Sequence, residues 1–172
     1  MRYIAFALGG LAGIILIIAI VGWSLPVRHS VSREVSLAAT PDRVYALISD
    51  PRAFPSWRSD VDSVDLLEPV GGTRRFREYG KNGPILFEVE KEEPSRSLIT
   101  RIADDNLPFG GTWTYDVLPA ADGRTTLRIR EDGEVYNPIF RFVSRFVMGQ
   151  ASTIEAYLES VRRKLGSIPR GG

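Results

Sequence analysis

The chain has 172 residues, with 22 Lys and Arg against 21 Asp and Glu, a formal net charge of +1, one histidine and no cysteine. That composition excludes a multi-histidine metal site, a cysteine nucleophile and lipid attachment through cysteine. Basic and acidic residues alternate along the chain, so no one-sided basic surface of the kind that binds nucleic acid is present.

From Tyr3 to Leu25 no residue is charged, and Leu8 to Val21 contains only Gly, Ala, Leu, Ile and Val. Helical at about 1.5 Å per residue, this stretch would reach roughly 34 Å, against a bilayer core of about 30 Å. It predicts a transmembrane anchor over 1–25. A cleaved signal peptide fits less well, because the apolar run is long and Gly22-Trp23-Ser24-Leu25-Pro26 lacks a small-x-small exit. Trp23 suits an interfacial position, and Pro26 ends the helix. Arg2 on one side faces Arg28, His29 and Arg33 on the other, so the positive-inside rule has little contrast; the domain leans toward the exported side of a bacterial inner membrane. Residues 26–30 are a short linker, with His29 a hydrated part of it. Residues 31–166 form one domain, and 167–172, with Pro169 and two terminal glycines, a flexible tail.

Within the domain, Val31, Arg33, Val35 and Leu37 alternate with polar residues, predicting a strand. Thr40-Pro41 marks a helix start, through side-chain capping and a proline suited to the first turn; the helix ends before Pro51. Arg52 to Trp57 is a short helix or turn. Six strands follow: Val61–Leu67, Thr73–Tyr79, one carrying Ile85, Phe87 and Val89 on a shared face, Ser97–Ala103, Thr112–Leu118 and Thr125–Glu131. Turns fall at Pro69-Val70-Gly71-Gly72, Asn82-Gly83 and Ala121-Asp122-Gly123, and a loop at 104–111. Asn137-Pro138 then opens a long helix whose apolar residues recur every three or four positions from Ile139 to Leu165, with Gly149 weakening or bending it. The fold class is α+β: a curved seven-stranded antiparallel sheet around a long C-terminal helix, preceded by one transmembrane helix.

The stretch Ala39-Thr40-Pro41, Val44-Tyr45, Asp50-Pro51, Phe54-Pro55, Trp57 and Val61, together with Gly111-Thr112-Trp113-Thr114-Tyr115-Asp116-Val117 and Gly123-Arg124-Thr125-Thr126-Leu127, resembles the START/Bet v 1-like helix-grip (SRPBCC) superfamily. Within it, the chain is most similar to the bacterial polyketide cyclase/dehydrase and lipid-transport family. The resemblance covers the domain and omits the apolar segment. It implies an apolar cavity between sheet and long helix, with Trp57, Phe76, Phe87, Trp113, Tyr115, Phe142 and Phe146 as candidate wall residues, although for any one of them a simple core role is favoured over ligand contact.

Reactive groups are scarce. Arg101 and Glu131 would form a polar pair for a carbonyl, carboxylate or phosphate if both pointed inward; at a bulge or sheet edge both would reach water. Tyr79 and Glu78 are weaker candidates beside a turn. Glu88, Glu90, Glu92 and Glu93 fit a solvated sheet surface, and Asp104-Asp105-Asn106 lacks the rest of a calcium loop. Leu107-Pro108-Phe109 is an apolar loop tip. No catalytic residue, metal or cofactor is assigned. The expected partners are a lipid bilayer and a small hydrophobic ligand, with no nucleic acid. Membrane-tethered binding or local transfer of that ligand is the leading function; a cyclase, aromatase or dehydratase is the alternative, and a filled scaffold a third.

Overall fold

A computed structural model describes residues 2–81, 83–149 and 151–166, without the side chains of Arg2, Ala5, Ala7, Leu8 and Met148. The expected tail 167–172 and Asn82 of the expected turn lie outside the described residues. Seven antiparallel strands form one sheet in the order β1-β7-β6-β5-β4-β3-β2. They are β1 Arg28–Leu37, β2 Val61–Val70, β3 Thr73–Gly80, β4 Gly83–Glu93, β5 Ser97–Ile102, β6 Phe109–Pro119 and β7 Thr125–Val135. Only β1 and β2 are edges; β1 reaches β7 because α2 (Pro41–Ser49) and a 3-10 helix (Pro51–Ser56) carry the chain away after the first strand.

The starts of these elements follow local chemistry. Thr40 Oγ1 accepts from the Arg43 amide at 3.4 Å with Pro41 in the first turn, and Asp50 Oδ1 accepts from the Arg52 amide at 3.2 Å. Asn137 Oδ1 accepts from the amides of Ile139 and Phe140 at 2.9 and 3.2 Å, starting α3 (Pro138–Val143). Each side chain satisfies amides that have no partner inside the helix.

The long C-terminal helix is interrupted. After α3, Ser144–Met148 is a π-helix, and Gly149 takes φ of 79°, a left-handed value open to glycine. The helix restarts as α4 (Ser152–Leu165), which buries Ile154, Tyr157, Leu158 and Val161 against the concave face of the sheet. α3 packs chiefly on α1 (Arg2–Ser24) and keeps a smaller contact with β7.

Strand β1 begins at Arg28, so residues 28–30 of the expected linker are ladder residues, with His29 opposite Gly133. α1 has 23 residues, and its exposed side chains include Ile14, Leu16, Ile17 and Ile20. Among the described residues no helix is long and apolar enough to cross a membrane. The transmembrane helix expected over 1–25 is therefore not supported by the structure.

Candidate functional site

The concave face of the sheet is lined by rings. Phe76 of β3 stands opposite Phe87 of β4, stacked with centroids 5.2 Å apart. Trp113 and Tyr115 alternate inward along β6, and Phe54 and Trp57 come from the 3-10 helix and its end. Tyr157 of α4 meets this layer from above, 5.4 Å from Trp57, 5.8 Å from Trp113 and 5.6 Å from Tyr115. These rings touch across the interior, so the expected wall residues Trp57, Phe76, Phe87, Trp113 and Tyr115 are brought together as one aromatic layer.

Charge is set into that layer. Arg58 lies 5.1 Å from the ring centroids of both Phe54 and Tyr157, and its side chain is only 11 % exposed. It donates to Glu78 at 2.8 Å and to Asp60 at 2.7 Å. Burial alone would lower the Arg58 pKa; Glu78 and Asp60 outweigh it and keep the guanidinium charged. Burial pushes the Glu78 carboxyl up, with Arg58 pulling it back. The guanidinium over two rings adds cation–π attraction.

Two buried polar atoms in this region have no hydrogen-bond partner among the described residues, Trp57 Nε1 and Glu131 Oε2, while the Tyr157 hydroxyl meets that of Tyr115. Burial drives the Tyr157 phenol well above its ordinary pKa. Glu131 stands opposite Trp113 on the concave side. Burial raises its carboxyl to about 7, with the Trp113 indole N–H pulling downward.

Other expected residues lie elsewhere. Arg101 is on the convex face, where it bonds Glu88 and lies 2.9 Å from Glu90. Thr112 is the partner of Arg101, whereas Trp113 is the partner of Glu131, so the two charges occupy opposite faces and make no pair. Tyr79 also faces outward and donates to Asp65 at 3.0 Å. Phe142 and Phe146 pair at 5.0 Å on the α3–π segment, outside the core cluster, with Phe142 half-buried and Phe146 exposed. Arg58, Tyr157 and Phe54 were not singled out from sequence. Arg58 follows Trp57 directly, and no local pattern marks it; only the fold brings Glu78, twenty positions later, against it.

A recess of about 780 Å³ opens at one end of the sheet, lined by the meeting ends of β1, β5, β6 and β7. Its wall includes His29, Ser30, Arg101, Thr112, Asp132 and Tyr136. Among the described residues, no group of three or more His, Cys, Asp or Glu is placed to hold a metal ion.

A family model described as polyketide cyclase / dehydrase and lipid transport matches residues 28–166. The granaticin polyketide synthase bifunctional cyclase/dehydratase of Streptomyces violaceoruber is 29 % identical over 112 residues, covering 61 % of this chain and 34 % of that protein. The chain thus spans about a third of this relative's length. A START superfamily protein from Mycobacterium smegmatis superposes with a TM-score of 0.65 at 19 % identity, over 80 % of this chain and 97 % of that one. The Zhui aromatase/cyclase of Streptomyces sp. R1128 superposes at 0.64 with 15 % identity, over 80 % and 93 %. At these identities the structural likeness shows the fold.

Proposed function

Because the chain belongs to the polyketide cyclase/dehydrase and lipid transport family, we propose that it binds a small hydrophobic molecule with one polar group between the sheet and α4. The observation that carries this reading is the unpartnered Trp57 Nε1 inside an aromatic layer that also holds the buried Tyr115 and Tyr157 hydroxyls and charged Arg58. An unpaired buried indole N–H costs free energy, and a guest carbonyl or hydroxyl would supply the missing bond. The rings would gain about 25 cal/mol per Å² of apolar guest surface removed from water. In the closed arrangement Tyr157 fills the space. Entry requires α4 to shift, and the break at Gly149 supplies a hinge that leaves α3 in place on α1.

α1 fits a lipid-embedded tether in this reading. Its exposed Ile14, Leu16, Ile17 and Ile20 need an apolar surrounding, and Trp23, Phe140, Phe146 and Val147 continue the same apolar surface onto the α3–π segment. That arrangement would hold the hinge beside a lipid surface, where an apolar guest concentrates.

Native mass spectrometry of the full chain released in mild detergent tests the binding reading. A retained apolar species is expected, and Tyr157→Phe should weaken its retention while leaving the fold intact. A bare protein, with no uptake of added fatty acid or polyaromatic probe, would rule it out. For the tether, Ile14→Lys with Ile17→Lys should move the protein from the membrane pellet to the supernatant. A cyclase or dehydratase activity is the second reading. It is favoured by the cyclase/dehydratase relative and by Arg58, a cation placed where a guest carbonyl could be polarised. Turnover of a poly-β-ketone substrate that is lost in Arg58→Met would establish it.

A further inference from the structure

Arg141 of α3 is a buried cation without a counter-charge. It is only 8 % exposed, yet its hydrogen bonds go to neutral acceptors, the Leu25 carbonyl at 2.8 Å and the Tyr136 carbonyl at 3.4 Å. Its Nε is buried and has no partner among the described residues, and none of them forms an ion pair with it. Arg58, whose side chain is 11 % exposed, shows the ordinary solution: it holds the carboxylates of Glu78 and Asp60. A guanidinium taken out of water loses more hydration than two carbonyls return, and an anion is the partner that makes up the difference.

The surroundings of Arg141 indicate which anion. A crevice of about 20 Å³ opens beside it, lined also by Ser144 and Arg145 of the π-helix, by His29, and by Leu25 and Val27 where α1 gives way to β1. That volume admits one oxygen-sized group. No acidic residue is found among the described lining. Two guanidinium groups and a serine hydroxyl are therefore gathered at one point, and planar N–H forks of this kind match the oxygens of a phosphate. The neighbouring positions in the chain are oily: Trp23, Phe140, Phe146 and Val147 are all exposed. Gly22 keeps the two sides of the crevice together, because a Cβ there would collide with the Pro138 carbonyl at the start of α3.

We propose that this crevice binds the phosphate of a phospholipid headgroup, with one phosphate oxygen accepting from Arg141 Nε and with Ser144 and Arg145 holding the others. The acyl chains lie along the exposed Ile14 and Ile17 side of α1, so the assignment rests on the reading of α1 as a lipid-embedded tether. The site is separate from the aromatic layer under α4 and needs no guest there. A lipid held in it ties α3 to the end of α1, which fixes the part of the C-terminal helix that the break at Gly149 leaves behind.

The test uses the full chain, ¹⁵N-labelled at arginine, in uncharged dodecyl maltoside micelles. The Arg141 Nε–H signal is identified by its loss in Arg141→Lys. Dihexanoyl phosphatidylglycerol should shift that signal and slow its exchange with water. Dihexanoylglycerol, with the same chains and no phosphate, should leave it in place, and inorganic phosphate should need at least a tenfold higher concentration. A signal unmoved by phosphatidylglycerol overturns the site. Inorganic phosphate acting as tightly as the lipid overturns the lipid assignment. By native mass spectrometry, Arg141→Met should retain phosphatidylglycerol at least tenfold less than wild type; the signal of the unaltered protein decides the matter if that variant folds poorly. The tether is read separately, by pelleting of wild type with membranes. Wild type found in the supernatant would refute the tether, while the short-chain lipid, which needs no bilayer, still reads the crevice.

Discussion

Glu131 and Glu78 are both carboxylates on the concave side, but their environments differ in kind. Glu78 is held by a cation at 2.8 Å; Glu131 has an indole and an imidazole beside it, and burial raises it to about 7 from 4.5. A carboxyl whose folded pKa is raised binds more protons folded than unfolded. Its contribution is present at low pH and lost as pH climbs from the unfolded value through the folded one. From about pH 4.5 to 7.5 Glu131 should thus remove on the order of 3 kcal/mol of stability. Urea unfolding at pH 5 and pH 8 checks this: the stability difference between wild type and Glu131→Gln should change in that direction, with the glutamine variant losing less. At the Arg58–Glu78 pair the expectation is different. Glu78→Leu leaves a buried guanidinium with only Asp60, costing about 3–5 kcal/mol, whereas Arg58→Met combined with Glu78→Leu should recover most of that loss. A double-mutant cycle by chemical denaturation measures it, and additivity of the two losses would contradict the pairing.

Among the secondary-structure units, the division of the C-terminal helix has the largest consequence. An apolar stripe that continues from Ile139 to Leu165 predicts a single helix on the sheet. Instead the π-helix and Gly149 let α3 pack on α1 while α4 packs on the sheet. Gly22 is the contact point: any Cβ there would collide with the Pro138 carbonyl. Arg141 closes the junction by donating to the Leu25 carbonyl at 2.8 Å, which takes up a free acceptor just past the C-terminus of α1. Gly22→Val should force the two helices apart, at a cost of about 1–3 kcal/mol for overpacking. Trypsin cleavage at Arg141 and Arg145 should then accelerate while cleavage within the sheet stays slow. Unchanged cleavage would show that α3 does not depend on this contact.

The molecule as a whole closes its interior with its own rings, and Tyr157 is the central piece. Removing it in Tyr157→Ala should cost about 3–5 kcal/mol, as a large buried side chain is lost. The same change leaves an aromatic-walled space, so the variant should bind an apolar fluorescent probe more tightly than wild type, read by fluorescence titration. If stability falls and no probe enters, the layer has collapsed, and the interior is a packed core with no capacity for a guest.

Local chemistry in the chain determined a good deal: the capped starts at Thr40 and Asn137, the alternating strands, the aromatic residues that face inward, and the family resemblance of the domain. Those features depend on neighbours a few positions apart, which a sequence displays directly. It also shows that Arg101 opposes Leu98 and Ile102 on its strand, yet not which of those faces the core meets. That choice was made by tertiary packing, which buries Leu98 and Thr100 and so sends Arg101 outward, and buries Leu127 and Ile129 on the face that Glu131 shares. The tertiary structure likewise turned His29 from an expected linker residue into a ladder residue beside Glu131, and left Phe142 and Phe146 outside the core cluster. Burial, ion pairing and a shifted carboxyl arise only from atoms distant in the chain coming within a few ångströms, and no local pattern of residues contains that information.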